Sequence, residues 1–387
     1  MGGMVRILAT ADWQMDMVGG SLNPDAREYL SAARLETIEN ILKLAKEEKV
    51  DAILAAGDLF EYPTPTPEVI TAVATVLQRS NIPIHAIPGN HDLYGASSVW
   101  NTPEFQAINH FHLHFDKTAS VVRTEIAEGV TLHSIPVKSK YDVQPQDEFL
   151  TDVSKEDGVH IVMAHAHDVA VMTFGEHEEC TLPIDSSKVI AKGYSLVILG
   201  HWHSWLEVED NRVLYPGTHE QTKFGERDAG YVAIIDVPVD GSEPKIVKKH
   251  VGKIKWASDE FDCTEKELPA DLINFVRGRK EDGFEFLKLK LTGEVNIETL
   301  ATAIPRVEEV CRTLVRHFSL ITDELTTTID VEAMTNSVDL PMGLREIQSS
   351  ILADLKNAQG NEEITNDLMD ELTALYRTCR SSGIIQE

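Results

Sequence analysis

The fold class predicted for this 387-residue chain is α/β: a β-sandwich flanked by helices, then a small α+β capping domain and a C-terminal helical hairpin. Three observations predict it. Apolar runs of strand length alternate with helical stretches through residue 236. Short polar signatures follow several of those runs directly, where a strand end aims side chains from a loop at a shared point. After Pro238-Val239-Asp240-Gly241 the alternation stops, and a strand–helix–strand pattern and two helical stripes follow.

Residues 5–10, 52–56 and 84–87 read as buried strands because each is a short, nearly continuous apolar run. Between the first two, residues 26–48 place Leu35, Ile38, Ile41, Leu42 and Ala45 on one helical face. Residues 67–79 read as a second helix opened by Pro67, whose missing N–H is tolerated in a first turn. Later strands are expected at 130–135, 160–164, 195–199, 212–215 and 231–236. Beyond them, residues 284–291 alternate Leu287, Leu289 and Leu291 with Lys288 and Lys290, the mark of a half-buried strand. Residues 296–314 read as a helix and 316–322 as a further strand. Leu344, Ile347, Ile351 and Leu355 make one helical stripe, and Ile364, Leu368, Leu372, Leu375 and Tyr376 a second. The expected domains are 1–255, 256–332 and 333–387, the last a hairpin of amphipathic helices suited to docking a partner.

Composition narrows the class. A 42% hydrophobic, 25% charged chain is ordinary for a globular protein. No apolar run approaches the roughly 18–20 residues of a membrane span, and the amino end lacks the pattern of a signal peptide. Cys180, Cys263, Cys311 and Cys379 have no metal or redox spacing and fit free thiols in a reducing compartment, so a cytoplasmic or nucleoid-associated location is expected. The formal net charge is −28, with 37 acidic and 22 basic residues in 1–255 and 26 and 13 in 256–387. Such a chain does not hold a nucleic-acid backbone by charge alone. Either the substrate is small or a basic partner supplies the grip.

Five signatures carry the chemistry: Asp12-Trp13-Gln14, Gly57-Asp58-Leu59-Phe60, Gly89-Asn90-His91-Asp92, Met163-Ala164-His165 and Gly200-His201-Trp202-His203. Singly, each has a plain reading as a turn, a cap or an exposed pair. In succession at strand ends, they supply the carboxylate, amide and imidazole groups of a two-metal phosphoesterase. A two-metal site needs one protein oxygen that touches both ions, and Asp58 is the natural bridge. Asp12 and His203 are expected to hold the first metal, and Asn90, His165 and His201 the second. His91 is expected to act beside the scissile phosphate, protonating the leaving oxygen, with Asp92 orienting its ring. Mixed oxygen and nitrogen ligation suits two Mn²⁺, with Fe or Zn also compatible.

This constellation resembles the calcineurin-like metallophosphoesterase superfamily, and within it the SbcD-type nuclease subunits of double-strand-break processing complexes. Gly57-Asp58-Leu59-Phe60 is similar to that group's bridging motif, and Gly89-Asn90-His91-Asp92 has Asp where protein phosphatases have Glu. Tyr215-Pro216-Gly217-Thr218, Phe224-Gly225-Glu226 and Gly230-Tyr231 resemble the nuclease segment after the last histidine pair. The resemblance covers 5–236 and is only architectural beyond. It implies Mn²⁺-dependent exonuclease and endonuclease activity on DNA, an SbcC-like SMC-family ATPase partner and a homodimer. One departure stands out: the group's first motif reads Asp-x-His, and here Gln14 replaces the histidine. Gln14 is still expected to offer its carbonyl oxygen to the first metal, but a neutral amide binds a transition metal more weakly than imidazole, so weaker or more Mn²⁺-demanding occupancy is expected there.

Possible nucleic-acid contacts are sparse: Lys138, Lys140 and Tyr141 after one strand, and Arg277, Arg279 and Lys280 before another, extended by Lys288, Lys290, Arg312 and Arg316. His167 is expected to line the cleft, His110, His112 and His114 to form a solvated edge, and His133 and His219 to support the site or the core. Trp13 is expected to pack, with Trp202 and Trp205 at the rim. Two other functions stay open: a phosphodiesterase or phosphatase for a small molecule, and a catalytically weak DNA-end-binding scaffold, which Gln14 favours.

Overall fold

The structure is a computed structural model that describes residues 3–20, 22–171, 180–208, 212–328 and 340–358, with scattered positions between 364 and 378. It divides into two compact units, Met1–Lys255 and Trp256–Glu387.

In the first unit the chain runs through β1 (Met4–Thr10), α1 (Pro24–Glu47), β2 (Ala52–Ala55), α2 (Pro67–Leu77), β3 (Ile84–Ala86), the short α3 (Pro103–Gln106) and β4 (Phe111–Leu113). It then crosses to β5 (Val122–Ala127), β6 (Val130–Ile135) and β7 (Val159–His165), and to a small parallel pair, β8 (His167–Asp168) and β9 (Pro183–Ile184). Next come α4 (Ser186–Ala191), β10 (Leu196–Gly200), β11 (Leu206–Val208) and β12 (Val213–Tyr215), before β13 (Tyr231–Pro238) and β14 (Lys245–His250) return to the first sheet. The strand orders are β14-β13-β1-β2-β3-β4 and β11-β12-β10-β7-β6-β5. The mixed α/β class is as the sequence predicts.

Strands β1 to β4 are mutually parallel, and so are β6, β7, β10 and β12. Their carboxyl ends therefore gather at one edge of each sheet, which is where ligands collect in such sheets. The sheets face each other through Ile7, Ala9, Leu54 and Ile87 from one side and Leu132, Ile161, Met163 and Ile198 from the other. The outer face of the first sheet packs Leu8, Ile53 and Ile84 against Ile38, Ile41, Val73 and Leu77 of α1 and α2. Helix α1 starts where Asn23 accepts from the Ala26 N–H at 2.8 Å, with Pro24 in its first turn. On the second sheet, Val162, Ala164, Val197 and Val213 pack against Val189 of α4 and Tyr194. Core strands lie within a residue or two of their predicted bounds.

The second unit contains β15 (Lys255–Asp262), α5 (Ala270–Glu281), β16 (Phe284–Asn296), α6 (Ile297–Leu314), β17 (His317–Thr328) and α7 (Met342–Asn357). β16 and β17 are parallel and joined by α6, and the three-stranded sheet runs β15-β16-β17. Leu287, Leu289 and Leu291 are fully buried against Leu272, Val276 and Val307. Strand β16 is longer than predicted because a register shift between Lys290 and Thr292 carries it past Gly293. Helix α7 matches the first predicted stripe, and most of the second stripe lies outside the described residues. Among the described residues, no helix is long and apolar enough to cross a membrane.

Candidate metal centre

The parallel strands deliver the signatures to one place. Asp12 follows β1, Asp58 follows β2, Asn90 follows β3, His165 ends β7, and His201 follows β10. The Asp12 N–H donates to the Gly57 carbonyl at 3.0 Å and the Gln14 N–H to the Asp58 carbonyl at 2.9 Å, which locks the first two loops together. Asp12, Gln14, Asp58 and His201 all have positive φ, at 52°, 42°, 52° and 97°. Non-glycine residues occupy that region at a cost, and they do so here because each side chain must turn inward.

Asp12, Asp58 and His165 are fully buried and each brings a ligand atom within 4.8 Å of the others. His165 Nδ1–H donates to the Ala56 carbonyl at 2.9 Å, leaving Nε2 2.9 Å from Asn90 Oδ1 and 3.2 Å from Asp58 Oδ2. His201 Nδ1 lies 3.1 Å from the same Asn90 oxygen, and the His201 backbone N–H donates to both Asp12 oxygens at 3.1 Å. His203 Nδ1–H donates to Glu226 Oε1 at 2.8 Å, and its Nε2 lies 3.2 Å from the Gln14 amide nitrogen. The structure thus brings together all seven residues expected to ligate metal.

The electrostatics fit a cation. Burial, and then the Asp58 charge, raise Asp12 to about 6, against the pull of His165 and His203. Burial acts to raise Asp58 too, but His165 and His91 outweigh it and hold it at about 2. Burial opposes charge on His165, yet Asp58 and Asp12 lift it to about 9. Two buried carboxylates beside these imidazoles need a compensating positive charge, which a divalent ion would supply. Two carboxylates, an amide oxygen and three imidazoles, with two rings oriented by a carbonyl and a carboxylate, are a suitable donor set for divalent transition metals.

Two residues outside the predicted set complete the arrangement. Glu226 fixes His203, and is itself held by the Thr222 N–H at 2.7 Å and the Thr222 hydroxyl. Glu61 stands beside His91: the ring Nδ1 is 3.2 Å from its carbonyl and 3.5 Å from Oε1. Glu61 first, and then Asp58, raise the His91 pKa against burial. The expectation that Asp92 orients His91 is corrected. Both Asp92 oxygens are taken up by backbone N–H groups, Gly89 at 2.6 Å on one and Leu59 at 2.7 Å and Phe60 at 3.2 Å on the other. Asp92 ties the Asp58 loop to the Asn90 turn, and burial followed by the Asp58 charge raises it to about 7. A third support, Arg34, is fully buried and donates Nε at 3.2 Å and Nη2 at 2.5 Å to the Trp13 carbonyl, under the Asp12–Gln14 loop. Glu61 sits one residue past a quoted motif, and Glu226 lies inside the quoted Phe224-Gly225-Glu226 stretch without having been assigned a role at the site. Proximity to a motif was the one available clue for Glu61.

The remaining candidates separate. His167 packs its ring 5.2 Å from that of His201. Trp13 is buried and donates to Thr10 Oγ1 at 2.8 Å, so it packs, and Trp202 is exposed beside the ligands. His219 and His133 are core residues. The solvated-edge reading of His110, His112 and His114 is corrected in part, because His114 is buried and bonded to His85 and Ser134. Of the candidate nucleic-acid contacts, Lys140 and Tyr141 are exposed, and Lys138 donates to the Ala119 carbonyl at 2.8 Å. Arg277 donates to Asn274 at 3.2 Å, while Arg279 pairs with Asp259 at 2.7 Å and Lys280 with Glu285 at 2.8 Å. Lys290 is likewise paired, with Glu324 at 2.6 Å. Carboxylates of the same unit thus offset much of that basic cluster.

Comparison with known proteins places this geometry in context. Solved structures similar to the chain include a dimetal phosphatase from Danio rerio, at 11% identity and TM-score 0.40, covering 63% of this chain and 98% of that one. Vps29 complexed with zinc from Entamoeba histolytica is similar at 10% identity and TM-score 0.27, over 64% of this chain and 100% of that one. A 5'-nucleotidase from Candida albicans is similar at 11% identity and TM-score 0.33, over 64% and 52%. The calcineurin-like phosphoesterase family matches residues 5–205, more than half of the sequence and every strand end that carries a candidate ligand. The chain belongs to the calcineurin-like phosphoesterase family and is a metal-dependent phosphoesterase.

Proposed function

We propose that the chain is a Mn²⁺-dependent DNA nuclease of the SbcD type, hydrolysing phosphodiesters at the end of a broken or processed duplex. The observation that carries the phosphoester chemistry is the buried convergence of Asp12, Asp58, Asn90, His165, His201 and His203 with His91 at its margin. The motif forms quoted above, and a second unit after residue 255, support DNA over a small substrate. The acidity of the chain supports reliance on a basic partner, an SbcC-like SMC-family ATPase, with homodimerisation through the phosphoesterase unit. A cytoplasmic or nucleoid-associated location follows from that role.

Two divalent ions, when bound here, would polarise the phosphoryl group and activate a water for in-line attack. The protein's own groups do the rest. Asp58 lies between the residues of both metals, with Oδ1 accepting from the His91 N–H at 2.8 Å and Oδ2 beside His165. That bond places His91 by its backbone, and Glu61 fixes its ring, so the half-buried imidazole is held to deliver a proton from Nε2 to the leaving oxygen. The raised His91 pKa keeps that proton available near neutrality.

The test is cleavage of end-labelled single- and double-stranded DNA with Mn²⁺, comparing wild type with His91→Ala. Cleavage that disappears in the variant supports the nuclease. If wild type leaves DNA intact while hydrolysing bis(p-nitrophenyl) phosphate, the small-molecule reading replaces it. Silence on both substrates at high Mn²⁺ supports the scaffold, a reading that the Gln14 contact with His203 favours.

A further inference from the structure

We propose that His85, His112 and His114 form a separate, structural Zn²⁺ site at the open edge of the sandwich. The topology collects them without help from the catalytic loops. His85 on β3 and His112 on β4 are register partners in a parallel pair, and His114 lies two residues on, so all three share the face turned toward the second sheet. A strand His-x-His with a third histidine on the neighbouring strand is a geometry able to present three imidazoles to one ion.

The distances support ligation. His85 Nδ1 and His114 Nε2 are 2.9 Å apart. An ion bound tetrahedrally at about 2.1 Å from each would leave them about 3.4 Å apart, a displacement of about half an ångström. The far nitrogen of His114, Nδ1, is 2.8 Å from Ser134 Oγ on β6, an outer bond of the kind that fixes a ligating ring. The His85 and His112 rings stack at 5.1 Å with 28° between planes. Among the described residues, the one set of three groups already within 4.8 Å is the catalytic one, so His112 joins by swinging its exposed side chain inward. It has room to do so: a cavity of about 470 Å³ opens here, bounded by the three histidines with Val122, Thr124 and Glu125 of β5. Glu125 lies at the margin of this cavity, where its Oε1 accepts from the Gly129 N–H at 3.3 Å, so water would fill the fourth position. A bound ion would clip β3 to β4 at the edge of the first sheet.

The test uses the full chain, stripped of metal and loaded with Zn²⁺ or with Co²⁺ as its optical probe. An Asp12→Asn/Asp58→Asn background weakens the catalytic site and isolates the second one. We expect one tightly held Zn²⁺ per chain in that background, a tetrahedral Co²⁺ spectrum, and at least about tenfold weaker binding when His112→Ala is added. Because His112 is exposed, that change leaves the fold intact, and in the otherwise native chain it leaves hydrolysis of bis(p-nitrophenyl) phosphate unchanged. His85→Asn gives a second loss from the same site. No bound ion in the background, or an isotherm indifferent to both histidine changes, overturns the proposal and leaves a simple hydrogen-bonded imidazole pair. Loss of hydrolysis would bear on the phosphoesterase centre instead.

Discussion

At the first expected metal position, Gln14 is the residue that departs from an imidazole ligand. Its amide nitrogen stands 3.2 Å from His203 Nε2, so it occupies the coordinating lone pair of that ring. The terminal amide must rotate to present its oxygen before His203 can ligate. Gln14→His should therefore lower the Mn²⁺ concentration for half-occupancy by about tenfold or more, read by calorimetry on the metal-free protein. Glu226 works in the opposite sense, because it holds His203 from behind. Glu226→Ala should weaken metal binding by roughly 10–100-fold with little change in circular dichroism. Unchanged metal affinity would leave Glu226 a structural partner of Thr222 with no bearing on the site. Asp92→Asn tests the corrected role: one acceptor becomes a donor facing a backbone N–H, so a cost of about 1–3 kcal/mol in denaturant unfolding is expected.

Strand ends and the turns after them decide whether those side chains converge. Gly200 closes β10 where a β-carbon would collide with the Ala56 carbonyl and crowd His165, and a β-carbon at Gly89 would collide with the Asp58 carboxylate. Gly200→Ala should destabilise by more than about 2 kcal/mol and disturb metal binding, whereas an Ala at Gly278, which has open space, should do neither. The elements that sequence reasoning found have clear apolar periodicity: β1, β2, β3, β6, β7, β10, β12, β13, β16 and β17, and the helices α1, α2, α6 and α7. Those it missed carry charge or are very short. β14 reads Lys-Ile-Val-Lys-Lys-His, and β5 alternates half-buried and exposed residues; both are sheet edges, where lysine and other polar groups block further pairing and erase the apolar signal. The three-residue β4 and two-residue β8 and β9 exist through their partners rather than their composition.

At the scale of the whole molecule, buried carboxylates and neutral histidines couple stability to metal and to pH. Divalent ions that bind only the folded chain should raise its melting temperature, by the equivalent of about 2.7 kcal/mol at a hundredfold excess over the dissociation constant, and chelation should reverse this in a thermal scan. Burial, then His160 and Arg123, depress His133 to about 4 in the folded chain. The unfolded chain protonates that ring near 6.5, so its contribution is full above that pH and is lost as pH falls toward 4. Denaturant unfolding should weaken over that window by on the order of 1–3 kcal/mol from this group, and His133→Gln should flatten the slope. The sequence alone determined the α/β class, the order of the strands that carry ligands, and the seven residues gathered at the centre, because apolar periodicity and motif chemistry are local properties. Tertiary structure alone decided that Glu61 rather than Asp92 faces His91, that Glu226 and Arg34 hold the ligands from behind, and that His85 meets His114. Those contacts join residues 21 to 30 positions apart on different loops and strands, or fill the hydrogen bonds of a buried carboxylate, and neither leaves a trace in a local pattern.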